Sequence, residues 1–436
     1  MNAPEPFSPN PISPLNIALL GYRSHPHVGG QGIFLNYLSK ALVELGHRVD
    51  VISGPPYPEL DPRVTLVKLP SLDLYASANP LRELRWRHLA SFTDSYEYLS
   101  KMTGGFAEPY TFSRRAAAYL KANPGRYHIV HDNQCLGWGL LAMERAGIPV
   151  VATIHHPISR DLEIALAAQP SPWLKLMTKR WYRFIRMQMQ VARKLRHVVT
   201  VSECSRQDIA SAFGRPPATI DVIANGVDTE LFRPLPEVTK EPLRLITTAS
   251  SDQPLKGQKF LLQAVAQLRA RYPKLQLVVI GTLKEEGETA QLLTELNLQQ
   301  CVSFKSQLTT EQLVAEFNRA AIAITPSLYE GFGLPAAEAM ACGTAVITSD
   351  GGALPEVVGD AGLVVPAGDS RALAEAIDKL ISNPELARQL AEQGRARILQ
   401  HFSWHGAAVA FSHYYQQILQ GQSDPQCTPS ISNALS

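Results

Sequence analysis

Short runs of Val, Ile and Leu alternate with helical stretches along almost the whole chain. Because these runs are apolar nearly throughout, they predict strands buried on both faces, as in parallel sheets. Strand and helix in alternation predict an α/β architecture with crossover helices. The runs lie at 16–21, 49–53, 128–132, 150–155, 197–202 and 221–226 in the first half, and at 243–250, 276–281, 301–304, 321–327, 345–350 and 363–366 in the second.

The length and one interruption in this series predict two domains. At 436 residues the chain is too long for a single ordinary core. The stretch 228–242 holds three prolines and no periodic pattern, and we interpret it as the linker. The predicted fold class is α/β, with two facing, Rossmann-like, doubly wound parallel-sheet domains over 15–235 and 236–402. Ligands of such sheets bind at the carboxyl ends of the strands, which predicts a site in the interdomain cleft.

Both ends of the chain depart from this pattern. Residues 1–14 carry five prolines and are predicted to be a disordered lead-in, and 421–436 a disordered tail. The chain starts without the basic and apolar regions of a secretory signal, and no apolar run reaches the length of a membrane span. We therefore expect a cytoplasmic protein, and any membrane contact must be peripheral, on the inner face.

The composition limits the classes of partner and metal that the protein is expected to bind. Hydrophobic residues make up 45% and charged residues 18%, as in globular proteins. Lys and Arg number 41 against 39 Asp and Glu, so nothing predicts nucleic acid as a partner. The five cysteines are scattered without a Cys-x-x-Cys pair, which favours reduced thiols over a disulfide frame or a zinc site.

The stretch 328–340, LYEGFGLPAAEAM, places a carboxylate on each side of a predicted helix start. Pro335 suits the first helical turn, where its missing N–H would be unbonded in any case. The N–H groups of 331–334 then point outward at the positive end of the helix dipole, which predicts a diphosphate site. Glu338 is placed one turn in to accept hydrogen bonds from a ribose diol, and Glu330 stands at the mouth. The alternative is that both glutamates only complement the helix N-terminus.

Two further loops carry glycine or lysine at predicted helix starts. In 250–260, SSDQPLKGQKF, Lys256 supplies a point charge for phosphate oxygens. The stretch GYRSHPHVGGQG lacks the G-x-G-x-x-G order, so it predicts no nicotinamide dinucleotide. Its Gly29, Gly30 and Gly32 are interpreted as points of close backbone approach across the cleft.

The stretch TIHHP, residues 153–157, ends a predicted strand with two histidines. Such a histidine either touches substrate or is an ordinary structural residue.

Two segments break the alternation. Residues 72–122 are predicted to be a long, aromatic-rich, irregular insertion in the first domain. Residues 173–196 hold basic residues and no acidic one, with apolar residues on one helical face. That segment is either a crossover helix with Trp173 and Trp181 in the core, or a surface for anionic lipid or an anionic acceptor.

Several of these stretches together resemble the retaining family-4 glycosyltransferases of GT-B fold. SLYEGFGLPAAEAMACGTAVITSDGGALPEVVGDAGLVVP, residues 327–366, is similar to the donor-site block of that family. VVATIHHP, VTVSECSRQDI, VIANGVDTELFRP and LKG match in the family's order, and the opening unit is similar as well. The resemblance covers roughly 15–420, and it implies that 403–420 is a last helix crossing back to the first domain.

The resemblance also implies roles for individual residues. Glu338 binds the ribose hydroxyls, Glu330 orients the donor sugar, and His155 is the histidine of the cleft. Lys256 binds the diphosphate together with the backbone at the helix start. The predicted catalytic residues are therefore His155, Glu330 and Lys256. The predicted donor-binding residues are Gly29, Gly30, Lys256, Glu330, Gly331, Phe332, Gly333, Leu334 and Glu338.

One position departs from the family pattern. An arginine that commonly binds the diphosphate is missing, since the place reads Ser250, Ser251, Asp252. Either Lys256 acts alone, or Lys259 or Arg23 takes the place of the arginine.

The implied reaction moves a sugar from a nucleotide-diphosphate donor to an acceptor hydroxyl with retention of configuration. The acceptor belongs to glycolipid, polysaccharide or other glycoconjugate synthesis, and a lipid-linked acceptor is one option. The sequence has no D-x-D, so no metal and no cofactor are predicted. Two alternatives remain open: a GT-B phosphorylase or epimerase, and a non-catalytic protein that binds sugar nucleotides. The missing glycine fingerprint argues against a nicotinamide dehydrogenase.

Overall fold

A computed structural model describes residues 13–25, 30–75, 83, 86–167, 169–248 and 252–421. Gly29, Ser250 and Ser251 lie outside the described residues. The predicted lead-in and tail lie almost entirely outside them.

The strands of the described residues form two sheets. The first sheet has the order β3-β2-β1-β4-β5-β6-β7 and the second β10-β9-β8-β11-β12-β13. Their bounds are β1 Asn16–Gly21, β2 Arg48–Ser53, β3 Thr65–Lys68, β4 Ile129–Asn133, β5 Val150–Ile154, β6 His197–Thr200, β7 Ile220–Val222, β8 Glu241–Thr248, β9 Gln276–Ile280, β10 Val302–Lys305, β11 Ala320–Thr325, β12 Ala345–Ser349 and β13 Leu363–Val365.

The helices follow the strands in the order expected of crossover connections. They are α1 Gly30–Glu44, α2 Trp86–Leu89, α3 Phe92–Met102, α4 Glu108–Ala122, α5 Trp138–Arg145, α6 Ser159–Ala167, α7 Pro172–Trp181, α8 Ile185–Lys194, α9 Glu203–Phe213, α10 Gln258–Leu268, α11 Glu288–Glu295, α12 Thr310–Arg319, α13 Leu334–Ala341, α14 Leu354–Val358, α15 Ser370–Ser382, α16 Pro384–His401 and α17 Trp404–Leu419. Among the residues that the structure describes, no helix is both long and apolar enough to cross a lipid bilayer.

The predicted α/β fold class with two doubly wound parallel sheets is confirmed. Each predicted apolar run contains a strand, and β1 pairs in parallel with β2 and β4, as β11 does with β8 and β12. In both sheets the chain works outward from a central strand in one direction and then reverses, which is the doubly wound pattern. Strand β3 was not predicted. It is a short edge strand, and its four residues are exposed or half-buried, so it lacks a continuous apolar run.

The prediction of an irregular insertion at 72–122 is wrong for most of its length. The segment contains α3 and α4, which are 11 and 15 residues long. Ser91 accepts a hydrogen bond from the N–H of Asp94 at the start of α3, and Pro109 occupies the first turn of α4. The abundance of aromatic residues favoured the prediction of an irregular insertion, although these helix-start signals are present in the sequence.

The prediction of one continuous helical face over 173–196 is also wrong. The segment is divided into α7 and α8 by a 3₁₀ turn at Tyr182–Phe184. Trp173 is 64% exposed and therefore lies outside the core, contrary to the crossover-helix interpretation. Because the 3₁₀ turn winds more tightly than an α-helix, apolar residues before and after it do not share one stripe.

Contacts between residues divide the chain into two compact units. The first contains the described residues up to Thr153, with Arg186–Val198 and the residues from Ala407. The second contains Ile154–Ile185 and Val199–Gly406.

Each unit has its own packing. In the first, α17 is held by two buried hydrogen bonds: the hydroxyl of Tyr415 lies 2.6 Å from Nδ1 of His131, and Oγ of Ser412 lies 2.8 Å from Nε2 of His47. In the second, Leu245 and Ile322 from the sheet belong to the same buried apolar cluster as Ile377 from α15.

Candidate functional site

The candidate site lies in the second unit, where two loops at the carboxyl ends of β8 and β11 run side by side. The N–H of Leu328 donates to the carbonyl of Leu255 at 2.7 Å. Gly257 has φ +62, and a Cβ there would collide with the carbonyl oxygen of Pro326. Only glycine therefore allows the two loops to lie this close.

This contact brings Lys256 and Glu330 together. Nζ of Lys256 lies 2.6 Å from Oε1 of Glu330, and Oγ of Ser327 donates to the same oxygen at 2.8 Å. The sequence predicted a role for each residue at the donor but not their direct pairing. The pair is only partly buried, with 27% of the Lys256 side chain and 14% of the Glu330 side chain exposed.

Helix α13 begins beside this pair without a side-chain cap. Gly333, at the N-cap, has φ +101, and its lack of a side chain leaves the first N–H groups of the helix without a capping oxygen. Pro335 occupies the first turn, as predicted. A Cβ on Gly333 would lie 2.6 Å from Cδ2 of Leu354, so the helix start depends on glycine.

Phe332 is available to the site only through its backbone, and Leu334 through its backbone and part of its side chain. Phe332 is buried, and its ring packs edge-on against Phe402 at 5.6 Å between centroids. Leu334 is half-buried.

Glu338 lies one turn into α13. Burial raises the pKa of its carboxyl to about 8, well above the ordinary value. Taken as a whole the residue is half-buried. A protonated or easily protonated carboxyl is able to exchange hydrogen bonds with hydroxyl groups.

His155 follows β5 and belongs to the second unit by its contacts. Its carbonyl oxygen lies 2.5 Å from the position a Cβ would take on Gly331. Ser205 donates to the carbonyls of both residues at 3.1 Å, and Ser202 donates to that of Gly331 at 2.9 Å. Burial and the neighbouring His156 lower the pKa of His155 to about 3, so its imidazole is neutral near pH 7.

Three residues that hold this backbone were not predicted from the sequence. Ser202 and Ser205 fasten the carbonyl of Gly331, and Ser202 also caps α9 by accepting from the N–H of Ser205. Glu356 accepts from the N–H groups of Glu203 and Cys204 at 2.8 and 2.6 Å. The serine before a helical stretch was a readable capping signal. Glu356 gave no such signal, because its partners lie more than 150 residues earlier in the chain.

Three of the predicted residues lie in the first unit. Gly30 is the first residue of α1 in the first unit, and a Cβ there would meet nothing within 4 Å. At Gly32, by contrast, a Cβ would collide with the carbonyl of His25. Arg23, one candidate for the missing arginine, binds both carboxylate oxygens of Glu108 at 3.0 Å.

Among the described residues, no group of three or more His, Cys, Asp or Glu side chains is placed to hold a metal ion. The positive groups at the site are instead the ammonium of Lys256 and the helix start. The arrangement is suited to an anion next to hydroxyl-rich groups.

Two doubly wound parallel sheets with such a helix start define the class of GT-B-fold proteins. The chain matches the family description "Glycosyltransferase Family 4" over residues 28–231 and "Glycosyl transferases group 1" over 230–397. It is similar to a sucrose-phosphate synthase of solved structure from Thermosynechococcus elongatus, with 25% identity and a TM-score of 0.71 over 93% of this chain and 100% of that one.

The relatives agree with this class. An MMP alpha-(1->4)-mannosyltransferase from Mycolicibacterium hassiacum is 46% identical over 411 residues, which is 93% of this chain and 98% of that protein. A D-inositol 3-phosphate glycosyltransferase from Thermobispora bispora is 26% identical over 90% of each chain. The chain therefore belongs to the family-4 glycosyltransferases and is a glycosyltransferase.

Proposed function

We propose that this protein transfers mannose from a nucleoside-diphosphate mannose to a hydroxyl of an α-(1→4)-linked mannoside. The observation that carries the proposal is the pair of Lys256 and Glu330 beside the uncapped start of α13, in a chain 46% identical to a mannosyltransferase. The identity extends over nearly all of both chains, so it includes the parts that bind the acceptor as well as the donor.

In this proposal each group acts on one part of the donor. The N–H groups at the start of α13 and the ammonium of Lys256 bind the diphosphate and stabilise the charge that grows on it as the bond to the sugar breaks. Glu338 binds the ribose hydroxyls. Glu330, held by Lys256 and Ser327, orients the sugar. His155 is neutral and binds a sugar hydroxyl rather than removing a proton.

We further propose that the anomeric configuration is retained. The acceptor oxygen bonds to the anomeric carbon on the face that the diphosphate leaves. The carbon–oxygen bond to the diphosphate breaks, and the hydroxyl proton passes to the departing phosphate oxygen. A nucleoside-diphosphate α-mannose then yields an α-linked product, which agrees with the linkage in the relative's name.

A donor screen tests the function. The purified protein is incubated with a short α-(1→4)-mannoside and, in separate reactions, with GDP-mannose, UDP-glucose, UDP-N-acetylglucosamine and ADP-glucose. Of the four donors, we expect only GDP-mannose to give a product one hexose longer. An α-mannosidase should then remove the added hexose. A Lys256→Ala variant serves as the control for contaminating activity.

Other results of the screen would count against the proposal. Transfer from a glucose donor alone would contradict the choice of sugar. Release of sugar phosphate in the presence of inorganic phosphate would favour a phosphorylase. A product that resists the α-mannosidase but yields to a β-mannosidase would contradict retention.

A second part of the proposal concerns a peripheral contact with anionic lipid through α7. No acidic residue lies between Glu163 and Glu203 in the sequence. Within α7 the exposed Trp173 and Leu176 stand among lysines that include Lys175 and Lys179. An exposed apolar face with basic neighbours is typical of a surface that rests on anionic lipid.

Vesicle flotation tests this contact. We expect binding to anionic vesicles that fades at high salt and weakens in Lys175→Gln/Lys179→Gln, because each basic residue near such a surface contributes about 1 kcal/mol. Lys274→Gln, an exposed lysine outside α7, is the control. Equal recovery with neutral and anionic vesicles would reject the contact and leave the proposed transfer unaffected.

A further inference from the structure

Helix α3, in the first unit, turns polar residues inward and apolar residues towards solvent, which is the reverse of an ordinary surface helix. Its buried residues are Glu97 and Ser100, while Phe92 and Leu99 are 63% and 62% exposed. An amphipathic surface helix normally buries its apolar stripe and exposes its polar one. The reversal therefore marks an apolar face that something other than this unit is built to cover.

Ion pairs hold α3 in this orientation. Oε2 of Glu97 lies 2.7 Å from Nη1 of Arg115, and Oε1 accepts from the N–H of Leu72 at 3.1 Å. The same arginine binds Asp94 at 2.6 Å. Turning α3 to bury its apolar face would break these contacts and leave a partly buried arginine without its carboxylates. The exposed face is thus a stable feature of the unit.

The exposed face continues from α3 into α2, and we call it the α2–α3 face. It consists of large apolar side chains, and those on α3 recur every three or four residues, which is the spacing of a helix–helix seam. Together they expose on the order of 700 Å², more than the 300–600 Å² of the largest patch on most monomers. The members are Trp86, Leu89, Phe92, Tyr96, Leu99 and Met102.

Three cationic side chains next to the α2–α3 face have partners among the residues that the structure describes. Arg115 binds Glu97 and Asp94. The guanidinium of Arg114 lies over the ring of Phe92 at 5.3 Å, and the ammonium of Lys101 lies over the ring of Tyr75 at 3.5 Å. The α3 part of the face therefore presents apolar side chains, with these three cations held against neighbouring groups of the same chain.

We propose that the α2–α3 face joins two copies of this chain in a two-fold symmetric dimer. A two-fold interface needs one surface that is complementary to itself, and a regular apolar seam on a helix meets that condition. Two faces of this size would bury on the order of 1,400 Å² in total, within the range of stable protein–protein interfaces. This inference does not rest on the proposed sugar transfer.

Sedimentation equilibrium of the full chain tests the dimer. We expect wild type to be dimeric, and Phe92→Glu/Leu99→Glu to be monomeric, with a dissociation constant raised by roughly two orders of magnitude or more. Leu399→Glu is the matched control, because Leu399 is also a half-exposed leucine on a helix but lies in the second unit. It should leave the dimer intact. Thermal unfolding of all three proteins shows whether the variants remain folded.

A second measurement uses the wild-type protein alone. Amide hydrogen exchange in Phe92–Met102 should slow as protein concentration rises, while exchange in α16 stays constant. A wild-type monomer at every accessible concentration would overturn the proposal. So would a dimer that survives Phe92→Glu/Leu99→Glu, or vesicle binding that this double substitution abolishes, since the face would then contact lipid.

Discussion

Glu338 is a carboxyl group whose burial, rather than any neighbouring charge, decides its protonation. The folded protein holds its pKa at about 8, against an ordinary value of 4.5. Between these values the folded state keeps a proton that the unfolded state releases. Its contribution to stability is therefore complete below pH 4.5 and is lost as the pH rises towards 8.

We expect Glu338→Gln to remove part of the decline in stability between pH 5 and pH 8. The glutamine cannot ionise, so the burial penalty on the charged form disappears. Thermal unfolding of both proteins across this range, without donor, makes the comparison. Glu375→Gln, at an exposed position on α15, is the control. Parallel stability curves for wild type and Glu338→Gln would contradict the raised pKa.

The same substitution should weaken donor binding. Hydrogen bonds to a charged group contribute about 1.5–3 kcal/mol, and ribose hydroxyls donate to the carboxylate better than to an amide. If the hydroxyls bind the ionised form, donor binding at pH 7 releases a proton. Calorimetry in buffers of different ionisation enthalpy measures that proton. Unchanged affinity in Glu338→Gln would exclude the proposed contact with ribose.

Lys256 is expected to act mainly on turnover. Charge on the leaving diphosphate is greater in the transition state than in the bound donor, so an ammonium there stabilises the transition state more. We expect Lys256→Ala to lower kcat by roughly 100-fold or more, with a smaller change in KM. Lys274→Ala controls for the loss of a surface charge. A raised KM with unchanged kcat would make Lys256 a simple binding residue.

At the scale of elements, the start of α13 depends on backbone geometry that only glycine allows. In Gly333→Ala the new Cβ meets both a positive φ and the side chain of Leu354. We expect a loss of about 1–3 kcal/mol in the free energy of unfolding from the backbone, and weaker donor binding as the N–H groups shift.

Gly147→Ala is the matched control for this variant. Gly147 has φ +81, and a Cβ there meets nothing within 4 Å, so it reports the backbone strain alone. Urea unfolding and donor titration of both variants separate the two effects. If Gly147→Ala weakened donor binding as much as Gly333→Ala, the helix start would not be the anion site.

At the scale of the whole molecule, we expect transfer to continue in EDTA. The chain has no D-x-D motif, and the ammonium of Lys256 with the start of α13 supplies positive charge where a metal would otherwise bridge the diphosphate. The rate with GDP-mannose, with and without EDTA, is the measurement. Complete loss of activity that magnesium or manganese restores would contradict a metal-independent reaction.

Much of the architecture follows from local sequence. Strands buried on both faces are apolar almost throughout, so β1, β5 and β11 could be predicted directly from the sequence. The turn before α13 could be read as well, because Gly333 and Pro335 are suited to that backbone by their own geometry. Family resemblance added the assignment of Glu330 and Glu338 to a donor. Edge strand β3 was not predicted, since a half-exposed strand carries no continuous apolar run.

Tertiary structure decided the features that depend on residues far apart in the chain. Lys256 and Glu330 are 74 positions apart, and only the contact between two strand-end loops pairs them. The sequence predicts that Glu338 lies in a helix, but the pKa of its carboxyl depends on how far other elements bury it. Helix α3 has apolar and polar faces in its sequence, and Arg115 of α4 decides that the polar face turns inward. Local pattern determines which elements form, because it acts through nearest neighbours. The pairing and burial of side chains are decided by the folded chain, because they arise only when distant segments come into contact.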